Sequence, residues 1–356
     1  MRTLLLWCLL SAPSFAQGQI VNAKLETRAI TQPLAREVAA VASRGPAWWI
    51  GYRVPLVDGS RKIGTFDGDW SDADRRCRLD DDRGISMTRG DAARGSRVTI
   101  EPPGELLVFA RVEGGAVTRV RTFTPDCAID AGGMPLAWLT GVGPDDSVAW
   151  LATIAASSEE SGDRHDHLAR PALAAIALTR AGSVDRTLEG FVAPDRPEWL
   201  RGETAFWLGS ERGAAGARLL ARMVAQDPSD KVRDKAVFGL SVSPQPEALD
   251  TLFKAARADD STRVRGQALF WLAHKAGSRV AAAITDAIDR DPDTEVKKKA
   301  VFALSQMPKD EGVPLLIQVA RTNRNPAVRK QAMFWLGQSK DPRAVQFFEQ
   351  ILSAKQ

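Results

Sequence analysis

Few residues in this sequence could hold a transition metal or act as a nucleophile. The 356 residues include only three histidines and three cysteines, which excludes a large His/Cys metal centre. His165 and His167 stand beside two aspartates and could bind a surface metal ion, but their polar surroundings are typical of a linker. No G-x-S-x-G, H-E-x-x-H or Walker pattern occurs. The sequence therefore predicts no metal site, no cofactor and no enzymatic activity.

A dense run of aspartates between residues 67 and 82 could bind Ca²⁺, which prefers carboxylate oxygens. An EF-hand loop starting at Asp67 is not supported. Asp72 stands at loop position 6, where glycine is needed, and Arg78 stands at position 12. Five arginines nearby can neutralise the acids instead. We interpret the run as a charge-balanced loop rather than a calcium site.

The N-terminal segment, positions 1–16, has the composition of a Sec signal peptide. Met1-Arg2 is a short positive start, residues 3–10 are apolar, and Ser14-Phe15-Ala16 places small residues two apart. The apolar run is shorter than the roughly 20 residues that a spanning helix needs. We expect cleavage after Ala16, a periplasmic or secreted protein, and no membrane insertion afterwards.

Export would leave two cysteines, Cys77 and Cys127. In an oxidising compartment these two most simply form one disulfide. The bond would close a loop of about 50 residues and stabilise the fold by roughly 3–4 kcal/mol in the loop-entropy model. A redox-active pair has no support, because the cysteines lack C-x-x-C spacing.

The C-terminal half is an internal repeat with a constant period of 32. Each unit contains one segment of the form V-R-x-x-A-x-F-x-L, as in 232–240, and a second segment with apolar spacing i, i+3, i+4, i+7. Asp-Pro and Asn-Pro pairs separate the units. The period predicts six helical hairpins over residues 168–356, stacked into a right-handed α-solenoid. It is carried by Leu200, Val232, Val264, Val296 and Val328.

The residues before the array predict a small α+β domain. Residues 33–42 read as a helix, 48–57 as a strand, 98–100 as a short strand, 106–123 as a β-hairpin and 145–156 as a helix. We therefore expect an α+β domain over residues 17–157 and a linker over residues 158–167. The sequence assigns no role to this domain.

The repeat pattern D-x-x-x-x-V-R-x-x-A-x-x-x-L resembles the short HEAT repeats named after phycobilin lyases. The resemblance covers slightly more than half the chain. It implies a structural ladder in which a turn aspartate caps a helix and pairs with the arginine of the next unit. The aspartate and the basic residue six positions later are Asp195/Arg201, Asp227/Arg233, Asp259/Arg265 and Asp291/Lys297; Asn323/Arg329 departs from the pattern.

One phenylalanine in each of the last five units lies away from the apolar stripe on a helical wheel, and Ala174 takes its place in the first unit. Tryptophans 207, 271 and 335 fall on the stripe itself and are interpreted as core packing. By resemblance, the phenylalanines would line the concave surface of the solenoid and form a binding groove. Alternatively, their rings seal neighbouring helices together. The candidate binding residues are Phe206, Phe238, Phe270, Phe302 and Phe334, with Lys235, Lys299 and Lys330.

Charge argues against nucleic acid as the partner. Residues 166–356 carry 29 basic and 23 acidic residues, a mild surplus of six with acids interspersed. Two enzymes with such repeats offer an alternative function, a phycobilin lyase or a deoxyhypusine hydroxylase-like oxygenase. The hydroxylase uses repeated His-Glu pairs that this sequence lacks, and the lyases work in the cytosol. The sequence thus favours a non-enzymatic scaffold that binds a protein or peptide, and leaves the oligomeric state open.

Overall fold

The computed structural model describes residues 20–45, 47–58, 63–64, 76–80, 86–87, 104–125, 128–157, 165–275 and 277–353. The predicted signal peptide, most of the aspartate run and the short strand expected near residue 98 lie outside these ranges. The chain divides into two compact units, residues 1–154 with 161–181, and residues 155–160 with 182–356. No described helix has the length and apolar character needed to cross a membrane.

The first unit is built on a five-stranded mixed sheet with the order β2-β10-β3-β7-β8. β10 runs parallel to both β2 and β3, while β3-β7 and β7-β8 are antiparallel. The strands are β1 (Ile20–Val21), β2 (Lys24–Ala29), β3 (Ala47–Pro55), β4 (Ile63–Gly64), β5 (Arg76–Arg78), β6 (Ser86–Met87), β7 (Glu105–Glu113), β8 (Ala116–Phe123), β9 (Ala128–Asp130) and β10 (Pro135–Thr140).

The predicted hairpin is β7-β8, and its turn explains its register. Gly114 and Gly115 have φ of +58° and +82°, the left-handed conformation that a two-residue hairpin turn requires. The core behind the sheet includes Trp49, Phe109 and Trp138. Two strands of the five-stranded sheet were not expected from the sequence, β2 and β10. β2 lies at the sheet edge with mostly exposed side chains, so it lacks the alternating burial by which a strand is recognised.

The predicted helices are α1 (Leu34–Ala42) and α2 (Pro144–Ala156). They are joined at the start of α1, where the backbone N–H of Leu34 donates to Asp146 of α2 at 2.7 Å. Glu37 is fully buried and pairs with Arg28 of β2. These polar contacts attach α1 to its neighbours in the first unit.

A π-helical turn, His165–Ala169, leads into α3 (Arg170–Leu178). The expected array begins at residue 168, but α3 belongs to the first unit. The backbone N–H of Val57 donates to Leu178, and Thr179 forms a β-bridge with Leu56. The first predicted hairpin therefore contributes its first helix to the N-terminal unit and only its second, α4 (Val184–Phe191), to the array.

The second unit continues as five hairpins, which confirms the predicted class, an α+β region followed by an α-solenoid. The first helices of the hairpins start at the constant sequence spacing that the repeat predicts, and they form one layer; the second helices form the other. The hairpins are α5 (Glu198–Glu211) with α6 (Gly213–Gln226), α7 (Asp230–Val242) with α8 (Pro246–Ala258), α9 (Thr262–Ala273) with α10 (Ser278–Arg290), α11 (Thr294–Gln306) with α12 (Lys309–Thr322), and α13 (Pro326–Gln338) with α14 (Pro342–Ser353).

Helices of the first layer associate in pairs. α5-α7 and α9-α11 contact each other more extensively than α7-α9 and α11-α13 do. At the α5-α7 contact, a β-carbon on Gly209 or Gly239 would collide with the backbone of the facing helix. These glycines therefore permit a closer approach than side chains would allow.

Candidate binding surface along the repeat array

Buried ion pairs connect successive hairpins. The Arg265 guanidinium donates to both Asp291 carboxylate oxygens at 2.8 and 3.1 Å, and also to the backbone carbonyl of Asp259 at 2.9 Å. Asp291 in turn accepts from the backbone N–H of Asp293 at 2.9 Å. The same arrangement joins Arg201 to Asp227 and Arg233 to Asp259. Hydrogen bonding to the aspartate raises the pKa of Arg233 and Arg265 above the usual value.

The direction of this ladder differs from the expectation. Each aspartate pairs with an arginine of the preceding hairpin, at a sequence separation of 26, rather than with an arginine of the next hairpin. The arginine six positions after an aspartate reaches only its backbone carbonyl. Asp195 has Ala169 at the position where its arginine would stand; the aspartate is exposed and has no ion pair among the described residues.

The two departures from the sequence pattern occupy one position of the ladder. Lys297 and Asn323 have the same sequence separation as the three ion pairs and stand where an arginine and an aspartate would pair. Lys297 Nζ instead donates to the carbonyl of Asp289 at 2.7 Å. Arg329 keeps its bond to the carbonyl of Asn323 at 2.8 Å. The contact between the fourth and fifth hairpins therefore lacks the buried ion pair of the earlier ones.

The five phenylalanines do not stand apart, but join three tryptophans in a continuous row of rings. Neighbouring ring centroids along it are 4.8–5.9 Å apart, the range in which aromatic pairs attract. We call this the aromatic row; its order is Trp207, Phe206, Phe238, Trp271, Phe270, Phe302, Trp335, Phe334.

The geometry of the row follows the pairing of helices. Phe206 stacks on Phe238 at 16° between planes, within the close α5-α7 pair, and the rings of α9 and α11 stack likewise at 9°. Across the wider gap between α7 and α9, Trp271 lies between Phe238 and Phe270. Small residues stand at the tryptophan position in the alternate hairpins, Gly239 and Ala303. The structural repeat of the row is therefore two hairpins.

The phenylalanines of the row both pack between helices and remain partly exposed, as the two interpretations, sealing and a binding groove, each require. Their rings seal neighbouring helices, yet four of the five remain half-buried, and Phe334 is 53% exposed. Trp207 is buried as expected, with 7% exposure. Trp271 and Trp335 are only half-buried; they pack between phenylalanines of neighbouring helices, at the surface rather than in the core, and belong to the row. Large rings at this spacing on one layer form an apolar surface.

Four buried polar atoms without a hydrogen-bond partner flank the row. They are Ser210 Oγ, Asp234 Oδ1, Trp271 Nε1 and Trp335 Nε1. Each belongs to a first-layer helix within four positions of a phenylalanine of the row, and the described part of the array has no others. An unpaired buried polar atom costs about 1–3 kcal/mol, so the array tolerates this cost only beside the row.

The three predicted lysines are exposed and stand beside the row. Lys235 precedes Phe238 by three positions and Lys330 precedes Phe334 by four, so each pair shares a helix face. Lys299 has the same relation to Phe302 as Lys235 has to Phe238. None of the three lysines has a hydrogen bond or ion pair among the described residues.

The remaining residues singled out by sequence do not assemble into a site. Cys77 is buried and lies in a disulfide, but Cys127 is outside the described residues, so their pairing stays a prediction. His274 packs against Phe270 and Trp271, and Asp80 pairs with Arg111. The described residues contain no group of three or more His, Cys, Asp or Glu placed to hold a metal ion.

A family model of HEAT repeats matches residues 281–356. The array is similar to the phycocyanin lyase complex of CpcE and CpcF from Nostoc sp. PCC7120, at 19% identity over 44% of this chain and 99% of that chain, with a TM-score of 0.32. Human deoxyhypusine hydroxylase is similar at 16% identity over 58% of this chain and 89% of that chain, with a TM-score of 0.27. Kap95p bound to RanGDP is similar at 17% identity over 55% of this chain and 30% of that chain, with a TM-score of 0.38. No curated protein matches the chain.

Proposed function

We propose that this HEAT-repeat protein is an exported scaffold or adaptor that binds a protein or peptide segment along the aromatic row. The observation that carries the proposal is the row itself, eight rings in continuous contact, of which all but Trp207 remain partly open to solvent. Aromatic side chains supply large contact area at low conformational cost and are enriched where proteins bind each other. We therefore propose that the function of this protein is to bind a partner rather than to catalyse a reaction.

Packing within the array supports a concave position for the row. Helices of the first layer contact their neighbours extensively, whereas helices of the second layer contact theirs sparsely. In a curved solenoid the more closely packed layer is the inner one, and solenoids use this concave side for binding.

Export rests on the sequence of residues 1–16 and agrees with a disulfide at Cys77, since disulfides persist in oxidising compartments. Fractionation of the source cells, with N-terminal sequencing of the mature chain, tests this part of the proposal. Mature protein starting at residue 17 outside the cytoplasm is expected. Uncleaved cytosolic protein would contradict it.

Selection of random twelve-residue peptides against the full mature chain tests the binding function. We expect selected peptides to lose affinity about tenfold or more on Phe334→Ala, because truncating an aromatic contact costs about 1–3 kcal/mol or more. Phe334 is the cleanest site, since its only described ring contact is with Trp335 and half its surface is exposed. Val345→Ala is the matched control, an exposed apolar residue on the second layer.

The stability of each variant decides how the result is interpreted. Phe334→Ala should lower the free energy of unfolding by about 1–3 kcal/mol, because about half of its surface is buried, so binding is compared only under conditions in which the variant is folded. Phe238→Ala and Phe302→Ala report on the interior of the row. Peptides that bind all three phenylalanine variants as tightly as the wild type, or a selection that yields no peptide, would refute the proposed function.

A further inference from the structure

Resting on the proposed function, we infer that the aromatic row recognises an extended acidic peptide segment, with carboxylates about six positions apart and apolar side chains between them. The inference concerns the kind of partner, and it comes from charges that the array leaves unpaired beside the rings. Three steps support it: which charges are free, how they are held, and how they are spaced.

The free charges beside the row are positive. Asp234 accepts from Arg263 at 3.2 Å, and Glu295 pairs with Lys298 at 3.0 Å. By contrast, three exposed ammonium groups have no partner among the described residues, those of Lys235, Lys299 and Lys330. A surface of rings with unpaired ammonium groups attracts carboxylates and disfavours basic segments.

Two of the lysines are held in place by glycines of the preceding hairpin. A β-carbon on Gly202 would lie 3.3 Å from Cγ of Lys235, and one on Gly266 would collide with the side chain of Lys299. The lysine stems therefore lie across the neighbouring helix, in space that only glycine leaves open. Lys299 lies against Gly266 along its stem up to Nζ, whereas Lys235 lies against Gly202 through Cβ and Cγ. Packing of the stems lowers the entropy that binding would cost.

The spacing of these two lysines sets the length of the partner segment. Lys235 and Lys299 are two hairpins apart, and packed helices advance by roughly 10 Å each, which gives about 20 Å. An extended chain covers about 3.3 Å per residue, so carboxylates roughly six positions apart would meet both ammonium groups. The apolar side chains between them would contact the rings.

The rings favour a peptide over single-stranded nucleic acid, which aromatic and basic residues can also bind. Bases need free ring faces on which to stack. In the row, the faces of Phe206 and Phe238 are stacked on each other, as are those of Phe270 and Phe302. These rings therefore present edges to a ligand, and ring edges suit aliphatic side chains and backbone better than base stacking.

Fluorescence anisotropy with the full mature chain tests the inference. The probe is a labelled twelve-residue peptide with two glutamates six positions apart and leucine and valine between them. Matched peptides carry glutamine or lysine in place of glutamate, or place the glutamates three positions apart, and a labelled dT12 oligonucleotide tests nucleic acid. We expect the peptide with glutamates six positions apart to bind most tightly, and we expect its affinity to fall as the salt concentration is raised.

Lys235→Met with Lys299→Met should weaken that peptide about tenfold, since each lost surface pair costs up to ~1 kcal/mol, while binding of the glutamine peptide stays unchanged. Gly266→Ala, which displaces the Lys299 side chain without removing it, should lower the affinity for this peptide severalfold. Equal binding of the glutamate, glutamine and lysine peptides, all lost on Phe334→Ala, would overturn the inference and leave the proposed function intact. Tighter binding of dT12, or no binding of any peptide, would also overturn it.

Discussion

Restoring the absent ion pair should stabilise the contact between the fourth and fifth hairpins. The change is Lys297→Arg combined with Asn323→Asp, which recreates the chemistry of the three existing pairs. Those pairs have two charge-assisted hydrogen bonds each, of 2.8–3.1 Å, between side chains no more than 15% exposed. The fourth position has the same sequence separation and the same hairpin geometry around it.

The expected gain follows from two opposing terms. Two hydrogen bonds to charged groups contribute about 1.5–3 kcal/mol each, while moving both charges out of water costs several kcal/mol. The remainder is a net gain of about 1–2 kcal/mol for the double variant, and a double-mutant cycle shows how much of it requires both substitutions. For a unit of this size that corresponds to a rise of roughly 2–8 °C in Tm. Asn323→Asp alone should gain less, because a lysine offers one point contact rather than a planar fork.

A double-mutant cycle in urea, followed by tryptophan fluorescence, measures the coupling. The reciprocal cycle is the control: Arg233→Lys with Asp259→Asn places the lysine and asparagine of the fourth position into an intact pair, which should lose a similar free energy. A coupling below about 0.3 kcal/mol in both cycles, the usual limit of additivity, would refute the view that these pairs stabilise the array.

Two further predictions use matched positions in the array. Gly209→Ala should destabilise the array by roughly 1–3 kcal/mol, because its β-carbon would meet the backbone at Gly239. Gly337→Ala lies at the same repeat position with open space around it and should stabilise the array by about 0.5–1 kcal/mol. Equal effects of the two substitutions in thermal unfolding would contradict this prediction. Hydrogen bonds from Arg343 lower the pKa of Asp341 from 3.8 to about 2, so the stability this carboxylate provides is present above about pH 4 and lost as the pH falls to about 2. A carboxyl pKa near 4 by NMR, or no change on Asp341→Asn in acid unfolding, would contradict it.

The sequence predicts the array well because its repeat is strictly periodic. A constant spacing of 32 places each first-layer helix and each buried valine, and the helical wheel separates the phenylalanines from the core. The N-terminal sheet is harder to predict because it is non-local. β2 and β10 are parallel neighbours that lie far apart in sequence, and β2 shows almost no burial along its length.

The ion-pair ladder and the aromatic row depend on contacts between hairpins, which the periodicity of the sequence does not predict. Asp227 and Arg233 are close in sequence, but the carboxylate pairs with Arg201 of α5, 26 positions earlier. The wheel places Trp271 on the core stripe, yet the residue fills a wide gap between helices and joins the row. Its counterparts Gly239 and Ala303 contain the only sequence signal of this outcome, the alternation of large and small residues from one hairpin to the next.

Recognition and architecture are coupled in this array, because the same rings set the helix spacing and form the exposed surface. Where Gly239 lets two helices approach, phenylalanines stack; where a tryptophan stands between the phenylalanines, the two helices contact each other less extensively. A substitution inside the row therefore alters both the fold and any binding. Residues that report binding alone must lie at its margin, which singles out Phe334, with half its surface open, and the lysines that lie across glycines. The contact between α11 and α13 has no buried ion pair among its described residues, while Trp335 packs against Phe302 there, so a ligand at that end of the row would add contacts where the ion pair is missing.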